Sequence, residues 1–345
     1  MTPTLRCALV GAGGARAVGH AEAYRYIARG RLVAACGRRR DAVAAFADRF
    51  GIEGRYTDVR EMLERERPDV LHVTTPPHVR LEVLRAAQAA GVAGAIVEKP
   101  LGVQGEDFLE IEAFAPTCTI KVAVNHQLHF HPRRTVLQRA VREGAIGEVR
   151  LVEASARHNV AYQGTHALEA IRAFTPGLAP LSLFAQASGA VGLRGEAHHH
   201  PAPDHLLAEI TFEGGVRGLL RCGDRAPAAA GAGPDVHLHK RVAVHGTRGF
   251  AHWTMHGWEL NADGELRSGR HDYAEEDVRG QTRLTEAMFD WLADDTAVHP
   301  LSLDRALEDL GLVLAAYASA LERRPCALPM RPTPELIARL REALG

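Results

Sequence analysis

The chain has 345 residues, of which 46% are hydrophobic and 24% are charged, and its formal net charge is −1. This length suits two domains, and the balanced charge excludes a general electrostatic attraction to nucleic acid or membrane surfaces. No segment has the ~18 consecutive apolar residues of a membrane span, and the first residues predict a strand rather than a signal peptide. We therefore expect a cytoplasmic protein that binds neither nucleic acid nor membranes.

The first 125 residues alternate predicted strands with predicted helices. Strands are predicted over residues 5–10, 32–36, 69–74, 94–97 and 120–124. Helices are predicted from the first glycine loop to about residue 28 and over residues 41–50 and 79–90. Such alternation is typical of βαβ units, which form a parallel sheet. We expect a Rossmann α/β domain over residues 1–123.

The rest of the chain follows a different pattern. After a helix at 133–143, strand-like runs at 149–154, 206–212, 216–222 and 241–245 follow one another without regular helices between them. Helices return at 282–292, 303–321 and 333–344. Consecutive strands favour a mostly antiparallel sheet. Residues 124–345 are therefore predicted to form a second domain of the α+β class.

The loop after the first predicted strand carries glycines in the pattern of a dinucleotide site. Gly11 and Gly13 occupy the first two positions of GxGxxG, whereas the third position holds Arg16. Glycines let the backbone approach a pyrophosphate, and the following helix N-terminus favours its charge. We expect Gly11, Gly13 and Gly14 to bind the cofactor, although an ordinary tight turn would have a similar sequence.

The end of the second predicted strand indicates which cofactor is used. An acid there binds the ribose of NAD, whereas arginine accommodates the extra phosphate of NADP. Here Arg38 and Arg39 follow the strand, and no acid occurs before Asp41. This pattern predicts a preference for NADP over NAD, with both arginines near the phosphate. A solvated arginine run at a helix start is the alternative.

Lysine is rare in this chain. Of 41 basic residues, three are lysines, Lys99, Lys121 and Lys240, so 41 − 3 = 38 are arginines. A generic surface charge would here be arginine, whereas only lysine offers a compact ammonium that can exchange its proton. Each lysine therefore raises the question of why arginine would not serve, and Lys99 lies just after the strand predicted over residues 94–97.

No metal site is predicted. The five cysteines form no CxxC pair, which favours free thiols over a zinc site or a disulfide framework. The nineteen histidines make chance clusters common. One such cluster lies in a proline-containing segment and favours a solvated loop; it consists of His198, His199, His200, Asp204 and His205.

Several motifs together resemble the Gfo/Idh/MocA family, which includes glucose–fructose oxidoreductase and inositol dehydrogenases. The motifs are Thr75-Pro76-Pro77-His78, Glu98-Lys99-Pro100, Asn125-His126-Gln127 and Gly246-Thr247-Arg248-Gly249. The resemblance implies a Rossmann domain followed by a domain with a large open sheet that often forms a homodimer or homotetramer interface. It also implies a catalytic role for Lys99, and it places Thr75, Pro76 and Glu98 in the cofactor site.

A second signature of that family is an aspartate and a histidine four residues apart at a helix start. His166 matches the histidine, but Tyr162 occupies the aspartate position. The resemblance places Asn125, His129, Tyr162 and His166 around the substrate. Arg80, His129 and Glu169 also depart from residues common in the family, which leaves the substrate open.

We predict an NAD(P)-dependent oxidoreductase that transfers a hydride to or from a secondary alcohol or ketone of a sugar, cyclitol or related polyol. Lys99 would orient the reacting oxygen, and His166, alone or with Tyr162, would exchange the proton. The alternative for Lys99 is a structural ion pair with a neighbouring carboxylate, and Tyr162 could equally be only a wall of the substrate pocket. Two alternatives stay open. One is an epimerase or glycosidase that retains its cofactor, and the other is a cofactor-binding regulator without catalysis.

Overall fold

The computed structural model describes residues 4–194, 200–229 and 239–345. Its first sheet has six parallel strands in the order β3-β2-β1-β4-β5-β6. The strands are β1 (Leu5–Val10), β2 (Gly30–Cys36), β3 (Gly54–Tyr56), β4 (Val70–Val73), β5 (Gly94–Glu98) and β6 (Lys121–Asn125). The helices of the chain are α1 (Ala15–Ala23), α2 (Arg40–Phe50), α3 (Val59–Glu66), α4 (Arg80–Ala89), α5 (Gly105–Phe114), α6 (Pro132–Arg142), α7 (Thr165–Ala173), α8 (Tyr273–Ala293), α9 (Leu303–Glu322) and α10 (Leu336–Leu344).

Apolar side chains cover both faces of this parallel sheet. On β1, Ala8 and Val10 join one buried cluster, while Cys7 and Leu9 join clusters that contain none of the first cluster's residues. Successive side chains of a strand point to opposite faces, so each face has its own core. Burial on both faces is typical of parallel sheets, and it explains the continuous apolar runs from which these strands were predicted.

The second sheet has nine strands within the described residues, in the order β14-β13-β12-β11-β7-β10-β9-β8-β15. All neighbours pair antiparallel except β7 and β10, which are parallel. The strands are β7 (Val149–Ala156), β8 (Pro180–Ser188), β9 (His205–Phe212), β10 (Arg217–Cys222), β11 (Lys240–Gly246), β12 (Gly249–Thr254), β13 (Gly257–Ala262), β14 (Glu265–Arg270) and β15 (Cys326–Ala327). The predicted fold class, a Rossmann sheet followed by a large, mostly antiparallel sheet, is confirmed.

Contacts divide the chain into two compact units. The first comprises Met1–Gly102, Glu110–Phe130 and Asp277–Leu307, and the second comprises Val103–Leu109, His131–Glu276 and Glu308–Gly345. A contact division does not locate where an independently folding domain ends, so the boundary predicted after residue 123 stays a prediction. Among the described helices, none combines the length and hydropathy that crossing a bilayer requires.

In the second unit, helix α7 packs against β7, β10 and β11, and a single π-helical turn leads into it. Gly164 ends that turn, and a Cβ at this position would overlap the Sγ of the buried Cys222 and lie 3.0 Å from a methyl carbon of Val160. The close approach of turn and sheet therefore requires glycine at position 164.

We expect Gly164→Ala to lower the free energy of unfolding by about 1–3 kcal/mol, the usual cost of overpacking. Adding Cys222→Ala, which removes the overlapping sulfur, should recover part of this loss. Gly19→Ala is the control: it lies inside α1, where an added Cβ meets nothing nearer than 3.8 Å, and alanine should stabilise the helix by about 0.5–1 kcal/mol. Chemical denaturation of the variants measures all three values. A Gly164→Ala protein as stable as the wild type would contradict the tight packing.

Candidate active site

The glycine loop lies tightly against the ends of its neighbours in the first unit. Gly11 and Gly13 have φ values of 100° and 99°, which favour glycine. A Cβ on Gly11 would lie 2.6 Å from the Thr74 hydroxyl, and one on Gly13 would lie 2.9 Å from the Cβ of Ala42. Any side chain here would therefore displace the loop from β4 and α2.

Helix α1 begins directly after this loop. Its N-cap is Gly14, which has no side chain to cap the helix, and its first turn has no acidic residue. Helix N-terminal N–H groups attract anions, so the loop and helix start fit the diphosphate of a dinucleotide. Gly11, Gly13 and Gly14 lie together here, at the place where the sequence predicted a cofactor site.

The sheet order reverses between β1 and β4, because the chain proceeds outward from β1 to β3 and then returns to the other side of β1. In sheets of this kind, ligands bind outside the carboxyl ends of the strands at the reversal. Thr75 and Pro76 follow β4, and Lys99 follows β5. The Thr75 hydroxyl is buried and has no hydrogen-bond partner among the described residues, which suits a ligand contact.

A buried arginine joins the loops that follow β4 and β5. The Nε of Arg80 donates a hydrogen bond to the Thr75 carbonyl at 2.9 Å, and its Nη1 donates to the Pro100 carbonyl. One planar guanidinium thus fixes the spacing of two loops. Arg80 departs from the family pattern, and this bridge gives the departure a structural reason. Lys99 immediately precedes Pro100 in the second of these loops and is only 7% exposed.

The carboxylate of Glu98 is held by several donors. Its Oε1 accepts hydrogen bonds from Arg16 Nε at 2.8 Å, His20 Nε2 at 3.0 Å and Asn125 Nδ2 at 2.8 Å. Burial alone would raise the pKa of Glu98. The opposite effect of Arg16, His20 and Lys99 is larger, so the pKa of Glu98 lies well below its usual value. Glu98 is therefore an ionised carboxylate surrounded by cationic and polar groups.

Asn125 is fully buried in the same network. Its amide nitrogen also donates to Gln281 Oε1 at 2.9 Å, and its carbonyl oxygen accepts from Gln281 Nε2 at 3.0 Å. A substrate contact by Asn125, as the sequence predicted, would require one of these bonds to break. Sequence analysis did not identify Gln281, Arg16 or His20 as part of the site.

Arg38 and Arg39 are both exposed and follow the carboxyl end of β2. Arg39 is also the N-cap residue of α2, and its guanidinium lies 3.9 Å from the Asp41 carboxylate. Their predicted contact with a 2′-phosphate stays a prediction. His129 lies in the short turn after β6, half-buried, with its ring centroid 5.0 Å from that of Phe130.

The remaining predicted site residues belong to the second unit. Tyr162 lies in the π-helical turn, where its N–H donates to Asn159 Oδ1 at 2.8 Å, and its ring packs beside the rings of His158 and His200. His166 lies in the first turn of α7 and is buried. Glu169, one turn later, pairs with the equally buried Arg134 at 3.0 Å, so its negative charge is balanced within this unit.

One group of side chains in the described ranges has the composition of a metal site: His131, His271 and Glu276. Its chemistry disfavours a metal. The Nδ1 of His131 accepts a hydrogen bond from the Arg133 backbone N–H, which leaves the proton on Nε2, 3.4 Å from Glu276. A metal-binding histidine instead donates from its other nitrogen. The Arg133 guanidinium also lies 3.5 Å from Glu276.

The histidine-rich segment is only partly described. His198 and His199 lie outside the described residues. Asp204 accepts hydrogen bonds from the backbone N–H groups of Val191 and Gly192, and His205 lies 3.3 Å from Asp224. Asp204 is therefore a turn-stabilising residue.

Known proteins resemble this chain in sequence and in fold. D-apiose dehydrogenase from Paraburkholderia graminis is 35% identical over 129 residues, which are 37% of this chain and 34% of that protein, so the chain spans about a third of its length. An oxidoreductase domain protein from Kribbella flavida aligns with a TM-score of 0.79 and 21% identity over 96% of this chain and all of the other. Levoglucosan dehydrogenase in complex with NADH and levoglucosan aligns with a TM-score of 0.79 and 18% identity over 94% of this chain and all of the other.

A family model also matches the N-terminal part of the chain. Residues 5–140 match the Gfo/Idh/MocA model, which describes an oxidoreductase family with an NAD-binding Rossmann fold. The matched segment includes the glycine loop and three of the four motifs that carried the predicted resemblance, whereas Gly246-Thr247-Arg248-Gly249 lies beyond it. Over residues 5–140, the chain is similar to the Gfo/Idh/MocA family of oxidoreductases.

Proposed function

We propose that the protein is an NAD(P)-dependent dehydrogenase that transfers a hydride to or from a secondary alcohol or ketone carbon of a sugar, cyclitol or related polyol. The observation that carries this proposal is the buried Lys99 at the carboxyl end of β5, one strand away from the reversal where the glycine loop lies. When bound, the nicotinamide supplies the hydride acceptor or donor. The names of the two dehydrogenases similar to this chain support a sugar as substrate.

The Lys99 ammonium would donate a hydrogen bond to the reacting oxygen and stabilise the negative charge that develops there. Arg80 supports this role, because it holds the adjoining Pro100 carbonyl against the Thr75 loop. His166 would exchange the substrate proton, with Tyr162 as its partner in place of the family's aspartate. His129 would contact the substrate from the turn after β6.

For the cofactor, we propose NADP in preference to NAD. Arg38 and Arg39 are exposed and follow the carboxyl end of β2, and their charge would accommodate a 2′-phosphate. The relative with a bound nucleotide carries NADH, so the arginines are the support for this preference. The cytoplasmic location and the assembly as a homodimer or homotetramer remain predictions.

We expect Lys99→Met to lower kcat by about 10²–10⁴-fold, the usual contribution of a group that assists proton transfer, while the Kd for the cofactor changes little. Methionine keeps most of the side-chain volume but removes the charge. Lys121→Met is the matched control, because Lys121 begins β6 at the opposite end of the sheet and pairs with Asp295. A polyol panel assayed by the absorbance of reduced nicotinamide gives kcat. Unchanged activity in Lys99→Met would contradict the proposed role of Lys99. A wild-type protein that binds the cofactor but oxidises no polyol would favour the alternative of a cofactor-binding regulator without catalysis.

We expect Arg38→Ala to weaken binding of NADP⁺ by roughly 10–100-fold, since a hydrogen bond to a charged group contributes about 1.5–3 kcal/mol. Binding of NAD⁺, which lacks the 2′-phosphate, should stay the same. Arg49→Ala is the matched control, because Arg49 lies in the last turn of the same helix α2 and pairs with Glu22. Titration calorimetry of the wild type and both variants with each nucleotide measures the dissociation constants. Tighter binding of NAD⁺ than of NADP⁺ by the wild type would overturn the preference.

A further inference from the structure

A continuous chain of buried hydrogen bonds leads away from Glu98 into the first unit. Glu98 Oε1 lies 3.0 Å from His20 Nε2, His20 Nδ1 lies 2.9 Å from His72 Nδ1, and His72 Nε2 lies 2.7 Å from the Tyr24 hydroxyl. Both histidine rings are completely buried. The chain joins α1 to β4 and β5, so it crosses three neighbouring elements of the Rossmann unit.

The ionised carboxylate determines where every proton in this chain lies. A carboxylate only accepts, so His20 Nε2 carries a proton and donates it to Glu98. His20 Nδ1 then has a lone pair, and His72 must donate to it from Nδ1. His72 Nε2 is left as an acceptor for the Tyr24 hydroxyl. All the hydrogen bonds therefore point toward Glu98, and His72 has its proton on Nδ1.

The reverse arrangement leaves the ionised Glu98 with fewer donors. A proton on His20 Nδ1 would leave a lone pair on Nε2, and Asn125 Nδ2, 3.0 Å away, is the group that could donate to it. The two hydrogens of that amide already serve Glu98 Oε1 and Gln281 Oε1, so the reverse arrangement would take donors away from an oxygen of the carboxylate or from Gln281. Glu98 Oε1 already accepts from Arg16 and Asn125, which oppose its protonation.

Burial lowers the pKa of His20 despite the neighbouring Glu98, and burial together with His20 lowers the pKa of His72 well below its ordinary value. Both rings are thus neutral, as the one-directional chain requires.

His72 is an unusual residue for its place in the fold. It lies within the four-residue strand β4, between apolar neighbours and in the middle of the parallel sheet. A buried polar group costs free energy unless it is hydrogen-bonded, whereas an apolar side chain at this position would need no partner. The two partners that satisfy His72 both belong to the chain that ends at Glu98.

We propose that His20 and His72 are positioning residues, which hold Glu98 ionised and in one orientation beside Lys99 and thereby hold the Lys99 ammonium in place for the reaction. This inference rests on the proposed function. The groups that face Glu98 are Arg16 and His20 from α1, Lys99 from the following loop and Asn125 from β6. At the other end, Cys7 and Glu286 lie near Tyr24 and, after burial, raise its pKa, so Tyr24 stays a donor.

Two substitutions of His72 separate this role from simple packing. Asparagine places an amide N–H donor where His72 has Nδ1–H, so it preserves the proton arrangement of His20. Leucine fills the space without a donor, so His20 is free to turn its lone pair toward Glu98, which then takes up a proton at higher pH. We expect His72→Leu to lower kcat by roughly 10–100-fold, the usual range for groups that orient a functional residue through a hydrogen bond without contacting the reacting atoms. The acid limb of the kcat/KM profile should move to higher pH in this variant.

His72→Asn should recover most of the activity that His72→Leu loses and restore the acid limb, while cofactor binding stays within about threefold in both. Calorimetry with the cofactor checks that both variants fold. Equal losses in the two variants, or no loss in either, would overturn the proposal, because packing alone would then account for the position.

A second measurement does not depend on activity. Nitrogen-15 NMR of histidine-labelled wild-type protein should show His72 as the neutral Nδ1–H tautomer and His20 as the neutral Nε2–H tautomer, assigned by the spectrum of His72→Asn. A cationic or Nε2–H His72 would overturn the proposal even in an active enzyme. The expected tautomers in a protein that oxidises none of the polyols would instead remove the proposed function and leave the proton arrangement supported.

Discussion

The buried carboxylate of Glu98 constrains the organisation of the Rossmann unit. An ionised group that is 2% exposed loses several kcal/mol of hydration, and its partners must offset that loss with hydrogen bonds of good geometry. Those partners come from α1 and β6, and Gln281 of α8 holds one of them in turn. Removing a partner would leave a buried charge, so the elements around the carboxyl ends of β5 and β6 are fixed relative to one another.

This constraint also explains the imperfect glycine motif. The third glycine of GxGxxG normally lets the helix pack closely against the strand, and Arg16 occupies that position here. Arg16 and His20 are four residues apart, so they share one face of α1, and both reach Glu98 Oε1. Helix α1, which begins after the glycine loop, is therefore joined to β5, the strand that Lys99 follows. Arg16 makes the glycine motif imperfect, and in the structure it forms an ion pair with Glu98.

Sequence reasoning found the parts of the fold that have a strong apolar signal. Five of the six parallel strands were predicted within a few residues, because both faces of that sheet are buried. Strand β3 and helix α3 were missed, since β3 has three partly exposed residues and α3 buries only Met62 and Leu63. Strands β8, β12, β13, β14 and β15 and helix α5 were also missed. Almost all side chains of β14 are exposed, so no apolar alternation marks that strand. The helix after the glycine loop ends at Ala23, earlier than predicted, because residues 24–26 close with i→i−3 hydrogen bonds.

The candidate site also has residues that the sequence predicted and residues that it did not. Lys99 and the glycines could be found because their neighbours along the chain form motifs. The hydrogen-bond network around Glu98 could not be predicted from the sequence. Asn125 and Gln281 are 156 residues apart and His20 and His72 are 52 apart, and no local sequence pattern indicates such a pairing. One signal was present and unused, the histidine within the apolar run Val70-Leu71-His72-Val73. A polar side chain inside a strand that is otherwise fully apolar must find a partner in the core, so its position alone indicates a buried network.

The proposed preference for NADP rests on a different part of the chain from the proposed chemistry. The glycine loop, Thr75 and Lys99 would contact groups that NAD and NADP share, so these residues favour neither. Arg39 is the N-cap residue of α2 and Arg40 is its first residue, and the positive end of the helix dipole disfavours cations there. The Asp41 carboxylate, 3.9 Å from Arg39 and largely exposed, is too weakly coupled to offset that repulsion. A phosphate bound there would neutralise both the arginines and the helix end, which is the physical reason to expect one.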